Sequence, residues 1–467
     1  MVTDTIWTES TVAAAVGRAK YDRLAQAIRD RIASGSLAPG QKLPPVRDLA
    51  WKVGVTPGTV SRAYRLLTDA GVLTAGVGRG TFVAEAEEVS RQVLSAEAGP
   101  DNDSVLNLTG PRMPDLGQTA LIARVMQTTL AQMPSDVLTR YPSRITDRPA
   151  REIVLAGLDP LVGPATLEDV VLAYGGQNAI VMILQTVLNG PRPTILTDAI
   201  SYNGFRNAAE VSRADLVTVP WDDAGPVPDV FVSLVRKHGA QAYCTASEVN
   251  NPTARPIAPS RRQEIAAIAA RHGVHVIDDD CYTRPTRVGA SFRSLLPDLG
   301  WHVGSPSKTF SPALRLGYAV APEGWSGALV RTAAGHAFGV SPLVTDLYAR
   351  LYRHPDQAAV LRAVRDRIDR DVAVATEIFA DCGPGAAPGV PFVWLPLPAP
   401  WRSGDFVEAA KSRGVILRAS ESFLTRDSPP VHAVRIAVNG TVPHARFAAG
   451  MADLRAVMDQ PSARISV

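Results

Sequence analysis

Lys308 lies in the segment of the sequence that most clearly predicts chemistry. It follows an apolar, strand-like run, is flanked by the hydroxyl side chains of Ser307 and Thr309, and stands seven residues before Arg315. A lysine whose environment lowers its pKa becomes a nucleophile and forms Schiff bases with carbonyl compounds. An arginine nearby suits a bound anion. The segment therefore predicts a reactive amine held beside an anion.

Two other polar clusters indicate what this anion and carbonyl could belong to. Gly175-Gly176-Gln177-Asn178 follows a predicted strand and opens a predicted helix, where backbone N–H groups can approach a phosphate, although a tight turn explains the glycines equally well. Asp278-Asp279-Asp280 follows another predicted strand, and because adjacent carboxylates repel each other they should face a cation, a metal ion or water. A phosphate cradle, a carboxylate for a pyridinium nitrogen and the reactive Lys308 together predict pyridoxal 5′-phosphate as the cofactor.

Predicted strands and helices alternate along the part of the chain that contains these clusters. Apolar strand-like runs are separated by helical ones, and the clearest strands are 170–174, 194–197, 242–245, 274–277 and 301–304. This alternation is typical of an α/β fold with a mainly parallel sheet, whose ligands bind beyond the carboxyl ends of the strands. All three clusters follow such runs directly, so we expect them at one edge of the sheet.

From about Asn107 to the C-terminus, the chain resembles the fold-type I aminotransferases. The motif Ser-x-Ser-Lys-x-x-x-Pro-x-x-Arg-x-Gly, which begins at Ser305, carries the resemblance. It implies a large parallel-sheet subdomain and a small α+β subdomain from about residue 350. It also implies that Lys308 carries the Schiff base with the cofactor and that Asp279 pairs with the ring nitrogen.

The same resemblance implies the other cofactor contacts. Tyr202 would stack on the ring, and Asn251 and Tyr282 would hydrogen-bond its 3′-oxygen. The phosphate would be held by Gly176, Gln177, Ser305, Ser307 and Arg315, with Tyr141 as a candidate phosphate contact in the site of a neighbouring subunit.

Arg435 lies in an alternating run, 431–438, that predicts a strand. The alternation places Val434 and Ile436 on one face and Arg435 on the other, between Ala433 and Ala437. Small neighbours leave a guanidinium room to bind a planar anion with two hydrogen bonds. By position it resembles the family arginine that binds the α-carboxylate of the substrate; the alternative is a surface arginine on an edge strand.

The first 84 residues predict a separate, basic module. They hold 11 Lys and Arg against 6 Asp and Glu. Helical patterns cover 21–34 and 46–53, and a third helix begins at Pro57 with Thr56 as its cap. Two short strands, 72–75 and 81–83, follow. Three helices and a hairpin predict a winged helix-turn-helix, whose third helix enters the major groove of DNA.

Three motifs in this module resemble the GntR family of bacterial regulators. They are Gly-Gln-Lys-Leu-Pro-Pro-Val-Arg at 40–47, Thr-Val-Ser-Arg-Ala-Tyr at 59–64 and Gly-Arg-Gly-Thr-Phe-Val at 78–83. The resemblance implies contacts to double-stranded DNA by Arg47, Thr56, Thr59, Arg62, Arg79 and Gly80. As alternatives, Arg47 is a structural ion-pair partner and Arg62 a solvated helix residue.

The combination of the two domains resembles the MocR subfamily of transcription regulators. We expect a DNA-binding domain at 1–84, a linker at 85–106 and an aminotransferase-like domain at 107–467. The resemblance implies a homodimer, which in this subfamily is frequently swapped head to tail, and a cofactor site that senses pyridoxal phosphate or an amino-compound effector through an aldimine. A working aminotransferase with an appended DNA-binding module is the rival hypothesis.

Composition excludes several other classes of protein. With 46% hydrophobic and 20% charged residues in 467, the chain is neither disordered nor collagen-like. No apolar run is long enough to cross a bilayer and the N-terminus does not resemble a signal peptide, so we expect a soluble, cytoplasmic protein. The three cysteines lack metal-binding spacing, and no metal is expected.

Overall fold

Two units make up the chain in the computed structural model, Met1–Pro100 and Asp101–Val467. The structure describes residues 7, 20–34, 36–38, 40–69, 72–76, 80–83, 105–282, 284–425, 428 and 430–460. Of the helices in these ranges, none combines the length and the apolar character that a bilayer span requires.

The smaller unit contains three helices and a hairpin. The elements are α1 (Lys20–Ala33), α2 (Val46–Lys52), α3 (Pro57–Asp69), β1 (Leu73–Gly76) and β2 (Gly80–Val83), with β1 and β2 antiparallel. Leu24 and Ile28 of α1 and Val60 and Leu67 of α3 are buried in a common core, as their helical spacing predicts. The predicted winged helix-turn-helix is therefore confirmed. Gly35 and Gly71 follow the first and third helical patterns in the sequence and are expected to end these helices, but both lie outside the described residues.

The predicted cap of α3 is also present. The backbone N–H of Thr59 donates to Oγ1 of Thr56 over 3.3 Å, and the two hydroxyl oxygens lie 3.0 Å apart. Pro57 occupies the first helical position, where its missing N–H costs no hydrogen bond.

The larger unit combines twelve described strands with twelve α-helices. The strands are β3 (Leu106–Asn107), β4 (Val170–Ala173), β5 (Thr194–Asp198), β6 (Asp215–Val219), β7 (Ala242–Thr245), β8 (His275–Asp279), β9 (Gly300–Gly304), β10 (Gly317–Val320), β11 (Phe392–Pro396), β12 (Val415–Ile416), β13 (Arg418–Ala419) and β14 (Ala433–Ala437). The helices are α4 (Gln118–Gln132), α5 (Arg148–Ala156), α6 (Gly176–Val187), α7 (Asn203–Val211), α8 (Pro228–His238), α9 (Pro259–His272), α10 (Phe292–Leu295), α11 (Ser326–Ala337), α12 (Pro342–Arg353), α13 (Gln357–Ile378), α14 (Ser403–Ser412) and α15 (His444–Asp459).

The strands of the large sheet follow the order β4-β10-β9-β8-β7-β5-β6 within the described residues. Five of them, β4, β5, β7, β8 and β9, are the predicted strands and are parallel to one another, while β10 runs antiparallel between β4 and β9. The residues of β4, β5 and β7 are buried throughout, as expected for strands covered by helices on both faces. Strands β6 and β10 were not predicted from the sequence. The predicted α/β class is confirmed, with a mixed rather than purely parallel sheet.

A smaller α+β subdomain follows the large sheet. It contains the antiparallel sheet β11-β14-β13 and the parallel pair β12-β3. Residues of α13, α14 and α15 pack with these strands in one core, which includes Leu106, Phe406 and Phe447. β3 lies at the boundary of the segment expected to be a linker, and its pairing with β12 attaches the start of the larger unit to the small subdomain.

Candidate functional site

Lys308 ends a short 3₁₀ turn, Pro306–Lys308, directly after β9. The hydroxyl of Ser305 fixes this turn: it donates to the carbonyl oxygen of Leu316 over 2.7 Å and accepts from the backbone N–H of Ser307 over 3.2 Å. Lys308 itself is half-buried. The turn therefore holds the amine at the carboxyl edge of the sheet, where the sequence places it.

The three consecutive aspartates have three different environments. Asp278 accepts hydrogen bonds from the backbone N–H and the hydroxyl of Ser247, at 2.9 and 2.7 Å, and Asp280 forms a buried ion pair with Arg287. Asp279 accepts from the backbone N–H of Cys281 over 3.2 Å. The three carboxylates therefore do not share one cation.

Asp279 is the aspartate that interacts with Lys308. Burial raises the pKa of Asp279, and the positive charge of Lys308 acts in the opposite direction. A carboxylate in a buried setting favours a cationic partner, because an unpaired charge is costly there. Asp279 can therefore stabilise a positive charge held next to the amine of Lys308.

In the turn before α6, the backbone of Gly175 and Gly176 passes close to the side chains of Arg315 and Cys281. Gly175 has a φ of +90°, and a Cβ built on it would lie 2.9 Å from Nη2 of Arg315. A Cβ on Gly176 would lie 2.5 Å from Sγ of Cys281. Larger residues would therefore collide with the site. The N-terminal N–H groups of α6 and the guanidinium of Arg315 lie together, which is a suitable arrangement for a phosphate.

The side chains of Gln177 and Tyr202 both pack closely against Gly204. The side-chain amide of Gln177 donates to the carbonyl oxygen of Gly204 over 2.8 Å, and a Cβ on Gly204 would collide with the Tyr202 ring and with Oε1 of Gln177. That Oε1 atom is buried and accepts no hydrogen bond from the described residues. A buried polar atom without a protein partner points to a ligand or water that supplies one.

Arg435 is a buried residue of a central strand. β14 lies between β11 and β13, and Arg435 is only 4% exposed, so the alternative of a surface arginine on an edge strand is wrong. Its Nη1 donates to Oδ1 of Asn251 over 2.8 Å, and its Cζ lies 5.6 Å from the centre of the Phe392 ring. Tyr282 contacts the same ring, with 5.1 Å between ring centres. Arg435, Asn251 and Tyr282 therefore line one region.

Two groups near Arg435 were not predicted from the sequence. Nη2 of Arg435 donates to the carbonyl oxygen of Thr109 over 2.6 Å, and its Cζ lies 4.9 Å from the centre of the Phe423 ring. Thr109 precedes Gly110 and Pro111, a turn signal that could have marked the segment. No local pattern distinguishes Phe423.

Tyr141 makes no described contact with the other residues predicted to bind the cofactor. Its side chain is 77% exposed, and its ring lies 5.1 Å from that of Phe338, which is also exposed. No described contact joins Tyr141 to Lys308 within one copy of the chain.

The predicted DNA contacts lie mainly on the surface of the smaller unit. Arg47 and Thr56 are exposed, and Gly80 has a φ of +109° at the start of β2. Arg62 is exposed too, but its Cζ lies 4.1 Å from the centre of the Tyr21 ring, so it is not simply a solvated helix residue. Arg79 lies outside the described residues.

Both units of the chain match models of known protein families. The model for aminotransferase class I and II matches residues 105–449, and the chain belongs to this family. The model for bacterial regulatory proteins of the gntR family matches residues 20–83. Together they give the chain the architecture of the MocR-like transcription regulators, and the predicted combination of domains is confirmed.

Two transcriptional regulators are similar to this chain over most of its length. The HTH-type transcriptional regulator YdeF of Bacillus subtilis is 25% identical over 94% of each chain. The HTH-type pyridoxine biosynthesis transcriptional regulator PdxR of Corynebacterium glutamicum is 26% identical over 71% of this chain and 76% of its own length. Among solved structures, the kynurenine aminotransferase of Pyrococcus horikoshii covers 80% of this chain and 94% of its own, with a TM-score of 0.69 and 17% identity. That likeness shows the aminotransferase fold.

Proposed function

We propose that the chain is a DNA-binding transcription regulator whose aminotransferase-like domain binds pyridoxal 5′-phosphate and responds to an amino compound. One observation carries the proposal: the chain that contains a winged helix-turn-helix also keeps a lysine, Lys308, whose charge acts on the carboxyl group of the half-buried Asp279. A purely structural scaffold would not need this pair, because burying a carboxylate costs free energy.

The residues of the site fit the proposed cofactor. Arg315 and the N–H groups that begin α6 would hold its phosphate, and the unpartnered Oε1 of Gln177 offers a further polar contact. Asp279 would keep a proton on the ring nitrogen. When bound, the cofactor would supply an aldehyde for the amine of Lys308 and a ring that accepts electrons. The name of one relative, which refers to pyridoxine biosynthesis, supports a response to this vitamin.

The amino compound would be recognised through its carboxylate by Arg435. Asn251 and the carbonyl oxygen of Thr109 orient the guanidinium, which lies near the ring of Phe392. A ligand acts on DNA binding only through a difference in its affinity for two conformations. We expect residues 85–106 to transmit that difference as a linker between the domains 1–84 and 107–467.

A second copy of the chain would cover an exposed apolar surface of the larger unit. Tyr141, Ile145 and Phe338 expose 77, 83 and 67% of their surface. Exposed apolar groups of this size are typical of interaction surfaces. We expect a homodimer in which this surface is covered and Tyr141 reaches the site of the other subunit, and two winged helices would then bind two half-sites of a DNA operator.

The test measures DNA affinity as a function of the small molecules. A binding site is first selected from random double-stranded DNA, and its Kd is then measured with and without pyridoxal phosphate, for the wild type and for Lys308→Ala. We expect pyridoxal phosphate, alone or with an amino acid, to change the Kd of the wild type and not that of the variant. Equal Kd values under all conditions, together with multiple turnovers of amino donor and 2-oxo acid, would favour the aminotransferase hypothesis instead.

A further inference from the structure

Arg287 lies at the centre of a buried network of ion pairs next to the carboxyl ends of β7 and β8. Its side chain is 6% exposed and forms ion pairs with Asp280 and with Glu248, whose side chains are 5% and 2% exposed. Nη2 of Arg287 lies 3.6 Å from Oε1 of Glu248. The same carboxylate accepts a hydrogen bond from Nη1 of Arg262 over 2.7 Å, and Arg262 is fully buried. The two arginines therefore compensate the two carboxylates in the interior of the large subdomain.

This network joins two loops that carry predicted cofactor contacts. Asp280 directly follows Asp279 at the carboxyl end of β8. Glu248 lies in the loop after β7, three residues before Asn251. Oε2 of Glu248 also accepts a hydrogen bond from the backbone N–H of Val288 over 2.9 Å, which ties the segment after β8 to the loop after β7. The central arginine of the network therefore pairs with one residue of each loop.

The position of Asp279 depends on the two aspartates that flank it. Its carboxylate accepts a described hydrogen bond from within its own loop, from the backbone N–H of Cys281 over 3.2 Å. Asp278, on one side, accepts two hydrogen bonds from a single serine. Asp280, on the other side, is held by its ion pair and by a hydrogen bond from its backbone N–H to the carbonyl oxygen of Val303 over 2.9 Å. A change in the ion pair would therefore displace the residue next to Asp279.

We propose that Arg287 is a positioning residue that holds the carboxylate of Asp279 against the ring nitrogen of bound pyridoxal phosphate. It acts through Asp280 and Glu248, which it anchors. The inference rests on the proposed function, in which Asp279 keeps a proton on that nitrogen. A buried ion pair adds little net stability, because the desolvation of the charges offsets their attraction, so we expect its main effect in the geometry of the site. A displaced Asp279 weakens the charge-assisted hydrogen bond to the ring nitrogen and leaves the contacts to the phosphate in place.

The experiment compares pyridoxal phosphate with its 1-deaza analogue, in which a C–H group replaces the ring nitrogen and removes the partner of Asp279. The Kd of each ligand is measured on the full-length chain by absorbance titration, and Asp279→Asn gives the ratio of the two Kd values when the interaction is lost. The variants are Arg287→Gln, Arg287→Lys, which keeps the charge, and Arg287→Gln combined with Asp280→Asn, which leaves neither partner charged. Arg261→Gln is the control, because this arginine of α9 pairs with Asp222 over 2.9 Å, outside the network.

The wild type and Arg261→Gln should bind pyridoxal phosphate about tenfold more tightly than the analogue. Arg287→Gln and the double variant should show the ratio of Asp279→Asn, and Arg287→Lys should keep part of the preference. If Arg287→Gln does not fold, the double variant, in which no unpaired charge remains, decides.

A merely structural role would weaken the binding of both ligands equally, so a wild-type ratio in Arg287→Gln or in the double variant would overturn the inference. A wild-type chain that binds both ligands equally would overturn the role of Asp279, and the inference with it. A wild-type chain that does not take up pyridoxal phosphate would overturn the proposed function itself.

Discussion

Nη1 of Arg435 donates a hydrogen bond to Oδ1 of Asn251 over 2.8 Å and thereby joins the small subdomain to the large one. The two residues are 184 positions apart in the chain. A carboxylate that binds Arg435 has to share the guanidinium with Asn251. Effector binding would therefore alter a contact between the subdomains, which is the kind of differential interaction that a conformational response requires.

Replacing Lys308 should abolish covalent capture of the cofactor. Lys308→Ala removes the amine at the end of β9, and we expect the visible absorbance that pyridoxal phosphate gains on binding the wild type to be lost. Lys411→Ala, in which an exposed lysine of α14 is removed, is the matched control and should retain the absorbance. An unchanged spectrum of Lys308→Ala with the cofactor bound would refute the assignment.

A side chain at position 176 should collide with Cys281. In Gly176→Ala the new Cβ would lie 2.5 Å from Sγ of Cys281, and overpacking of this kind lowers the free energy of unfolding by about 1–3 kcal/mol. The double variant Gly176→Ala with Cys281→Ala should recover most of this loss, since it removes the sulfur. Urea denaturation of both single variants and the double variant gives the coupling free energy. If the two substitutions have additive effects on the free energy of unfolding, the side chain at position 176 does not contact Cys281.

DNA binding should depend steeply on salt concentration. The logarithm of the association constant is expected to fall with the logarithm of the salt concentration, with a slope of about 0.9 for each phosphate contact. If Arg47 binds a phosphate, Arg47→Ala should reduce this slope by about 0.9. Arg236→Ala removes an exposed arginine from α8 of the larger unit and should leave the slope unchanged. A slope for Arg47→Ala equal to that of the wild type would favour the ion-pair alternative.

The contact between Arg62 and Tyr21 should stabilise the smaller unit. The guanidinium lies 4.1 Å from the ring centre at an exposed position, where a cation–π interaction contributes about 0.5–1 kcal/mol. Arg62→Ala and Tyr21→Ala should each lower the stability of this unit, whereas Tyr21→Phe keeps the aromatic face and should have little effect. Chemical denaturation followed by circular dichroism measures the differences. Equal losses in Tyr21→Phe and Tyr21→Ala would show that the ring face is not responsible.

Acid should destabilise the large subdomain through His275. This side chain is 6% exposed and accepts a hydrogen bond from Nε1 of Trp301 over 3.2 Å. Burial lowers the pKa of His275 to about 4, so the unfolded chain binds the proton first and stability falls as the pH decreases from about 6.5 to about 4. This shift in the pKa of His275 corresponds to a decrease of about 3 kcal/mol in the free energy of unfolding.

The comparison of two histidine variants tests this origin of the acid sensitivity. The stability of His275→Gln, measured by urea denaturation, should depend less on pH between 6.5 and 4.5 than that of the wild type. His238→Gln, a change at the exposed end of α8, should show the slope of the wild type. Parallel curves for all three proteins would contradict the prediction.

Local sequence patterns are sufficient to predict the two domains, the fold class and the chemically reactive groups. Lys308 with its serines, the glycine turn before α6 and the cap at Thr56 are encoded within a few consecutive residues. Each depends on local geometry, such as the φ of +90° at Gly175 or the 3₁₀ turn that ends at Lys308. Patterns of this range can be recognised without knowledge of distant contacts.

Which of these groups contact each other depends on how separate segments of the chain pack in the folded domain. The sequence left the three aspartates equivalent, but their partners, Ser247, Cys281 and Arg287, give each a separate role. It also left open whether Arg435 lies on an edge strand. Strand register and subdomain packing place Arg435 next to Arg418, Asn251 and Thr109. These residues belong to separate segments, whose pairing depends on the folding of the whole domain rather than on any local preference of the chain.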